Sequence, residues 1–271
     1  MDPNLQRRVQ RYGWDKATEF YESFWEDQLS PAHEKLQAML EVNEGDHALD
    51  IACGSGQVTF PVANKVGVGG HVIGTDLSDK MIELASKNAI SKKIPNATFQ
   101  QMDAENLIFN DQHFDIVYTS LGLMYFPEPI KALNEFKRVL KDNGQLGIAV
   151  WGNRKRCGWA EVFEIVDKRV ASEVCPMFFQ FGNKLLMEKT LKGIGFGNVQ
   201  LEIIQTKLKY NTDEEAYGAA FAGGPVALAY NKFNNDVKHE VHEEYLHSIR
   251  EYRSSNGYEI PGEFLICTCI K

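Results

Sequence analysis

Residues 48–56 constrain the fold of this chain most, because a short apolar run there ends abruptly in two glycines, Gly54 and Gly56. An apolar-periodic stretch follows as far as Val66, so the order predicts a buried strand, a tight turn and a helix. The glycines let the backbone approach a ligand closely, and the free N–H groups of the next helix point at the same place. Asp50 lies inside the apolar run and therefore needs a polar partner, either at the turn or on the ligand.

The spacing of the glycines does not identify the ligand. The dinucleotide pattern G-x-G-x-x-G would place a third glycine where this chain has Thr59. A second apolar run, residues 71–76, ends in Asp76, 20 residues after Gly56. An acid in that position can accept hydrogen bonds from both hydroxyls of a ribose. These residues predict a nucleoside cofactor, and they fit a nicotinamide compound and an adenosyl compound equally well.

Five segments, taken in order, give the chain a family resemblance. They are residues 49–56, residues 74–78 with Met81, Asp103 with Ala104, residues 114–117 and residues 138–144. With these segments the chain resembles the class I S-adenosylmethionine-dependent methyltransferases, particularly the small-molecule branch that includes the ubiquinone and menaquinone C-methyltransferases. The resemblance covers residues 12–151 well and the rest of the chain loosely.

The resemblance implies a Rossmann-like α/β fold, in which a seven-stranded, doubly wound sheet has its last strand antiparallel and carries a helical cap insertion. It implies S-adenosylmethionine as the cofactor, S-adenosylhomocysteine as its product, and methyl transfer to a small, partly apolar molecule by in-line displacement at the sulfonium. The residues then expected to contact the cofactor are Tyr21, Asp50, Ala52, Gly54, Gly56, Asp76, Leu77, Met81, Asp103, Ala104 and Thr119.

Two other classes of function stay open at this stage. A nicotinamide-dependent oxidoreductase is disfavoured by Thr59 and by the absence of a Tyr-x-x-x-Lys pair after the fourth predicted strand. A non-catalytic protein that binds the cofactor without turnover is the other alternative. Base methylation is disfavoured because the loop after the fourth strand lacks the Asn/Asp-Pro-Pro-aromatic sequence of nucleic-acid N-methyltransferases.

The N-terminal segment, predicted as a helical lid over residues 1–45, is unusually aromatic. Phe20, Phe24 and Trp25, with Tyr21, are expected on one helical face that packs either on the core or over the ligand. The resemblance favours the lid, because its aromatic-acid pair aligns with residues 20–22. Pro31 is expected to begin a second helix, which ends at residue 40.

The rest of the chain is predicted as a methyltransferase core with a cap. The core comprises residues 46–210 and 262–271, with 152–195 partly in the cap, and residues 211–261 form the helical cap insertion. Within the core we expect helices over 58–66, 79–92 (capped by Ser78) and 185–194, a helix before the stop signal at 142–144, and mainly helix over 152–184. Strands are expected over 48–52, 71–76, 97–102, 114–119, 145–151, 199–208 and 263–270.

The substrate is expected between the lid and the cap, at the carboxyl edge of the sheet. Trp14, Tyr125, Phe179 and Phe221 are the predicted substrate contacts, although the aromatic patch at 177–181 fits a plain core equally well, and the cap could merely pack on the sheet or make a dimer contact. No catalytic base is assigned. Met124 and Tyr125 stand where quinone-type relatives often carry a histidine, so either the substrate is nucleophilic without help or the cap supplies the base. His33, Glu161 and Tyr125 are unranked candidates.

Composition narrows the partners and the compartment. A formal net charge of −8 disfavours nucleic acid, no apolar stretch reaches the length of a membrane span, and residues 1–12 are too polar for a signal peptide. Five scattered cysteines fit unpaired thiols in a reducing cytoplasm. No metal is expected, because the zinc signature H-E-x-x-H would need a histidine where Glu243 follows His239. The expected partner is a small molecule, and a homodimer is left open.

Overall fold

The computed structural model describes residues 2–170, 175 and 177–271. In these ranges the strands are β1 His47–Ile51, β2 His71–Asp76, β3 Ala97–Gln101, β4 Phe114–Ser120, β5 Leu140–Trp151, β6 Gly197–Tyr210, β7 Arg253–Ser254 and β8 Gly257–Ile270. The helices are α1 Pro3–Met39, α2 Thr59–Val66, α3 Asp79–Lys92, α4 Pro129–Val139, α5 Glu161–Asp167, α6 Lys184–Ile194, α7 Asp213–Phe221, α8 Ala227–Tyr230 and α9 Asn235–Ser248. Among the described helices, none is both long and apolar enough to cross a bilayer.

A single sheet organises the molecule, with the strand order β3-β2-β1-β4-β5-β8-β6. Strands β1 to β5 pair in parallel, whereas β8 lies antiparallel between β5 and β6. This confirms the predicted doubly wound sheet with an antiparallel last strand. The two-residue β7, which pairs only with β8, adds an eighth strand that the sequence did not indicate. Because β1 to β4 are parallel and adjacent, their carboxyl ends meet at one edge of the sheet.

The start of α2 and the N-terminal cap of α3 agree with the predictions from the sequence. Val58 to Val66 was predicted as a helix, and α2 begins one residue later, with Pro61 in its first turn, where a missing N–H costs little. Ser78 caps α3, since its hydroxyl accepts a hydrogen bond from the Met81 N–H over 3.1 Å. The fully buried side chains of β1, β4 and β5 form the centre of the core between the flanking helices.

Helix α1 corrects the prediction that Pro31 begins a second helix. It continues through Pro31 without a break. Pro31 has no N–H to donate to the Asp27 carbonyl four residues earlier. The Ser30 hydroxyl donates to that carbonyl instead, over 2.9 Å, so the oxygen keeps a partner. Apolar side chains on both sides of the proline are buried against the core, and this packing holds the two halves in one helix.

Two further stretches differ from the predicted elements. Helix α4 ends at Val139, before the predicted stop at 142–144, because Leu140 already pairs with Phe114 as the first residue of β5. In the described residues of 152–183, the helical elements are α5 and two short 3-10 turns at Arg154–Arg156 and Gln180–Gly182. The predicted helix over 171–174 and 176 lies outside the described residues.

Close aromatic packing explains the short helices of this stretch. The rings of Trp159, Phe163 and Phe178 lie with centroids 4.7–5.7 Å apart. At Gly182 a Cβ atom would fall 2.1 Å from the Gly152 carbonyl oxygen, so two loop segments touch backbone to backbone. Tertiary packing of this kind overrides the helical periodicity of the sequence.

The segment predicted as a cap is helical as far as the 3-10 turn at Arg250–Tyr252. The chain then returns to the sheet, and β8 begins at Gly257, six residues before the predicted start of the closing strand. Inside the cap His242 stacks on Tyr217, with ring centroids 3.8 Å apart, and its Nε2 lies 3.0 Å from the Tyr230 hydroxyl. The division of the chain into lid, core and cap remains a prediction.

Candidate functional site

The candidate site is a cavity at the carboxyl edge of the sheet, roofed by one face of α1. It holds about 1020 Å³ of space free of protein atoms, its mouth included. Residues from the turns after β1, β2, β3 and β4 form one end, and aromatic side chains from distant parts of the chain form the other. Ten predicted ligand residues line it: Trp14, Tyr21, Ala52, Gly54, Asp76, Leu77, Met81, Asp103, Ala104 and Tyr125.

The glycine turn after β1 has the left-handed backbone that its composition predicts. Gly54 has a φ of +54° and Gly56 a φ of +93°, a region that residues with a side chain rarely adopt. A Cβ on Gly54 would face the Tyr21 ring at 3.9 Å, on the cavity side. A Cβ on Gly56 would fall 2.5 Å from the Phe60 ring, and Gly56 does not line the cavity. Gly56 thus serves the packing of the turn on α2, and its predicted contact with the ligand stays a prediction.

Asp50 finds its polar partner inside the protein. The Thr59 hydroxyl donates to the Asp50 carboxyl over 2.6 Å, so the residue that breaks the dinucleotide pattern serves the turn instead. Burial raises the pKa of Asp50 to about 7, against the hydrogen bond from Thr59, which lowers it. Asp50 lines a small polar pocket beside the cavity rather than the cavity itself.

Asp76 joins the first two turns. Its carboxylate accepts the Gly54 N–H over 3.0 Å and the Ser78 N–H over 2.9 Å, one on each oxygen. Each carboxylate oxygen has a second acceptor position, so two hydroxyls can still bind. Burial raises the pKa of Asp76 to about 6, although its backbone hydrogen bonds lower it. Asp76 thus lines the cavity as an oriented acceptor, in the place predicted for a ribose.

The turn after β3 supplies a second acidic edge. Asp103 accepts the Glu105 N–H over 2.9 Å and lines the cavity beside apolar side chains. These apolar neighbours are Leu77, Met81, Met102 and Ala104. A carboxylate next to apolar walls suits a flat, nitrogen-rich ring that donates hydrogen bonds at its edge.

Arg7 holds α1 over this end of the cavity. The sequence did not indicate this role for Arg7. Its guanidinium lies 3.2 Å from the Asp103 carboxylate and 2.8 Å from that of Glu128, and it also pairs with Glu105. Glu105 is almost fully buried. Further along α1, Arg11 pairs with Asp79 over 2.5 Å, so α1 is tied by ion pairs to the turns after β2 and β3.

The other end of the cavity is aromatic, and we call it the aromatic chamber. Its rings are Trp14, Tyr21, Trp25, Tyr125, Phe126, Trp151, Trp159 and Phe178. Trp14 stands edge to face with Tyr125, at 5.2 Å and 84°, and Trp25 crosses Trp159 at 5.8 Å and 71°. Rings crossed in this way face in different directions, as the walls of a box do. Burial raises the pKa of the Tyr125 phenol well above its usual value.

The small polar pocket shares Tyr21, Ala52, Gly54 and Ser120 with the cavity. Its own lining is His33, Asp50, Cys53, Ser55, Gln57 and Val58. Among the described residues, the Ser55 and Ser120 hydroxyls and the Gln57 side-chain nitrogen are buried without a hydrogen-bond partner there. Burial lowers the pKa of His33 to about 4. Unpartnered donors and acceptors beside the cavity favour a polar ligand group in this pocket.

Three other predicted ligand residues also lie off the cavity. Thr119 is buried behind the turn after β4, where a Cβ on Gly122 would fall 2.5 Å from its hydroxyl oxygen. Phe179 packs behind the aromatic chamber, against Trp159 with centroids 5.9 Å apart. Phe221 is fully buried in the cap, where its ring lies 5.6 Å from that of Tyr245.

The three unranked base candidates are separated by the structure. Tyr125 lines the aromatic chamber, His33 lies in the small polar pocket, and Glu161 is half-exposed near Arg154, away from both. From the cap, only Gly224 and Pro225 reach the cavity among the described residues. In residues 2–170, 175 and 177–271, which the structure describes, no cluster of histidine, cysteine, aspartate or glutamate could hold a metal ion.

Comparison with known proteins shows what part of this chain is similar to. A family model described as a methyltransferase domain matches residues 42–171. Demethylmenaquinone methyltransferase of Lactobacillus johnsonii is 37% identical over 136 residues, which are 48% of this chain and 56% of that protein. Aklanonic acid methyltransferase of Streptomyces sp. is 31% identical over 145 residues, 54% of this chain and 66% of that protein. The chain thus matches less than two thirds of the length of these relatives.

Solved structures show the same fold. A phosphoethanolamine N-methyltransferase from Haemonchus contortus, solved with S-adenosyl-L-methionine, has a TM-score of 0.62 at 18% identity over 95% of this chain and 57% of that one. The cyclase SpnF has a TM-score of 0.58 at 21% identity over 89% of this chain and 80% of that one. Since the fold carries a cyclase as well as methyltransferases, these likenesses establish the architecture alone.

Proposed function

We propose that the chain transfers the methyl group of S-adenosylmethionine to a small, partly apolar molecule, and the match of residues 42–171 to a methyltransferase domain supports this proposal. The observation that carries the proposal is one cavity with two ends. The oriented carboxylates of Asp76 and Asp103 lie at one end and the aromatic chamber at the other. A nucleoside and an apolar acceptor therefore fit side by side.

The residues of the first end suit the adenosyl cofactor. Asp76 would accept the two ribose hydroxyls, and Asp103 with its apolar neighbours would hold the adenine. The unpartnered polar atoms of the small polar pocket, with His33, would receive the charged amino-acid end. When bound, S-adenosylmethionine supplies a methyl group that is already activated on a sulfonium. The product is then S-adenosylhomocysteine.

The protein's own part in this reaction is positioning and exclusion of water. Displacement at the methyl carbon needs the acceptor atom held close and in line, which can be worth roughly 7–11 kcal/mol. Trp14 and Tyr21 on α1 and Tyr125 after β4 line the boundary between the two ends of the cavity. Their crossed rings restrict how an acceptor can lie there.

Helix α1 would act as the lid. One of its faces, which carries Arg7, Gln10, Trp14, Tyr21 and Trp25, lines the cavity. The predicted aromatic stripe is divided in the structure, because Phe20 is exposed and Phe24 packs towards the cap at Gly218. Slower proteolysis within α1 in the presence of S-adenosylmethionine would support the lid, and an unchanged cleavage rate would count against it.

Equilibrium binding tests the proposal first. Isothermal calorimetry should detect S-adenosylmethionine and S-adenosylhomocysteine and give no heat with NAD. Binding of NAD alone would restore the oxidoreductase, which the comparisons do not favour. Methyl transfer from labelled S-adenosylmethionine to a panel of phenols, quinols and amines then separates an enzyme from a protein that only binds the cofactor.

Partners and compartment belong to the same proposal. A net charge of −8 supports a small-molecule substrate over a nucleic acid. The five cysteines are all buried and unpaired, which supports a reducing compartment such as the cytoplasm. A homodimer stays a prediction, for which sedimentation equilibrium is the direct test.

A further inference from the structure

Among the residues that the structure describes, none that lines the aromatic chamber is placed to deprotonate an acceptor. Among the described residues, the charged side chains lining the whole cavity are Arg7, Asp76, Asp103 and Glu105, all at the cofactor end. The carboxylates there already accept backbone N–H groups or pair with Arg7. In the described part of the chain, no histidine lines the chamber.

The neighbouring candidates do not replace a base. His33 lines only the small polar pocket, and its pKa is lowered to about 4 by burial, so it accepts a proton weakly at neutral pH. The phenols of Tyr21 and Tyr125 have raised pKa values because they are buried, and they stay protonated. The described residues of the cap bring only Gly224 and Pro225 to the cavity wall. Of the two alternatives left open by the sequence, the structure favours an acceptor that needs no base.

The chamber also suits positive charge better than negative charge. Tryptophan and tyrosine faces attract a cation through their electron-rich π systems. Four tryptophans and two tyrosines line the cavity, and their rings cross at steep angles: 84° for Trp14 with Tyr125 and 71° for Trp25 with Trp159. A phenolate would meet these same faces, and the one cation on the described lining, Arg7, is already paired with three carboxylates.

We propose that the methyl acceptor is an apolar tertiary amine that reacts as its uncharged free base, through its own lone pair, so that the product is a quaternary ammonium ion held in the aromatic chamber. The nitrogen lone pair forms the new N–C bond, and the electron pair of the broken C–S bond returns to sulfur. The positive charge moves from sulfur to nitrogen, and no proton is released. This substrate class rests on the proposed function and narrows it.

The substrate class cannot be carried over from the relatives. The family match covers residues 42–171, whereas Trp14, Tyr21, Trp25, Phe178 and Pro225 lie outside it. Four of the eight rings of the chamber therefore come from parts of the chain that the family model does not cover. A thioether shares the lone-pair chemistry and would give a sulfonium product, so the experiment includes one.

The test compares two molecules of the same shape with and without charge. The probes are naphthylethyl trimethylammonium and its neutral tert-butyl isostere, each titrated into protein saturated with S-adenosylhomocysteine and followed by tryptophan fluorescence. We expect the ammonium to bind at least about fivefold more tightly, as a cation over aromatic faces should. In Trp14→Leu this preference should fall to about twofold or less, whereas Trp14→Phe, which keeps an aromatic face, should retain most of it.

Measurement of methyl transfer is the second part of the test. Naphthylethyl dimethylamine, with its concentration counted as free base, should be methylated with a higher kcat/KM than naphthol, and the naphthylethyl methyl thioether is the other lone-pair acceptor. Tyr12→Leu serves as the control, because Tyr12 lies on α1 but is exposed and does not line the cavity. Equal affinity for the two isosteres, or faster methylation of naphthol than of the amine, overturns the amine proposal. Failure to bind S-adenosylhomocysteine at all would instead overturn the proposed function.

Discussion

The two ends of the cavity are built in different ways. At the cofactor end, the ligand groups come from turns that directly follow β1, β2 and β3, and neighbouring backbone N–H groups orient them. In the aromatic chamber, the rings come from α1, the segment after β4, β5 and the segments after β5, with Pro225 added from the predicted cap. The first end depends on local backbone geometry and the second on side chains that meet only in the folded protein. The chamber can therefore be re-lined without disturbing the turns, which lets one cofactor site serve different acceptors.

The largest expected effect is at the backbone of the cofactor end. Gly54→Val adds a branched side chain at a φ of +54°, on the side of the Tyr21 ring. Strain and crowding together cost about 3 kcal/mol, so the affinity for S-adenosylmethionine should fall roughly 100-fold. Gly45→Val is the matched control, because Gly45 has a φ of +90° with no other atom within 4 Å of the added Cβ. Equal loss of affinity in both variants would show that strain alone, and not the ligand, explains the effect.

A smaller loss is expected when the side-chain acceptor is removed. Asp76→Ala should weaken S-adenosylmethionine binding by about 1.5–3 kcal/mol, because a charge-assisted contact to the ribose is lost. Calorimetry measures this directly. Asp111→Ala is the control, since Asp111 is exposed and pairs only with Arg138 at the surface. Unchanged affinity in Asp76→Ala would remove the ribose assignment.

The same carboxyl predicts a pH dependence of binding. The pKa of Asp76 is about 6 without ligand, and the ionised form accepts the hydroxyls. Affinity should therefore be full above this pH and fall as the pH drops, by about tenfold one unit below the pKa. Asp50, with a pKa of about 7, titrates nearby, so Asp76→Asn is needed as a control. If the acid limb persists unchanged in Asp76→Asn, another group is responsible for it.

Removing the ion pairs that hold α1 should have a moderate effect on the rate of its proteolysis. Arg7→Ala removes the ion pairs to Asp103, Glu105 and Glu128, so the N-terminal half of α1 should be cleaved about fivefold faster by a protease, which corresponds to roughly 1 kcal/mol for a half-buried pair. The exposed neighbour Arg8, changed to alanine, is the control. Similar cleavage rates in both variants would show that Arg7 does not hold the helix down.

The smallest effect on ligands is expected in the cap. Phe221→Leu should lower the stability of the protein by about 1 kcal/mol and leave the KM for the acceptor unchanged, because Phe221 is buried away from the cavity. The same substitution at Phe178, which lines the cavity, should raise that KM. Thermal melts and steady-state kinetics on the two variants compare the roles. A raised KM in Phe221→Leu would return Phe221 to the substrate site.

The two ends also differ in how far the sequence predicts them. Asp76 and the Ser78 cap could be predicted because a strand, a turn and a helix are each determined by residues that are neighbours in the sequence. The seven main strands and their direction follow from the same order. Asp50 was expected to need a polar partner, and Thr59 nine residues on supplies it.

Contacts between residues far apart in the sequence could not be predicted from it. Arg7 has no local pattern that indicates three carboxylates about a hundred residues further along the chain. Trp151 and Trp159 look like ordinary core residues until the fold brings them to the cavity. In the cap, the small residues suggested room for a substrate. Part of that room is taken by Phe24, since a Cβ on Gly218 would fall 2.6 Å from its ring.

The continuous passage of α1 through Pro31 has a mechanical consequence. The proline removes one backbone hydrogen bond, so the helix is locally softer there than on either side. Arg7 lies about 36 Å along the helix axis from Pro31, so a bend of roughly 10° at the proline would swing it by about 6 Å. That travel is enough to part the Arg7 ion pairs and uncover the cofactor end without unwinding a single turn. The N-terminal part of α1 would then move as a rigid body about Pro31, while the part after Pro31 stays packed on the core.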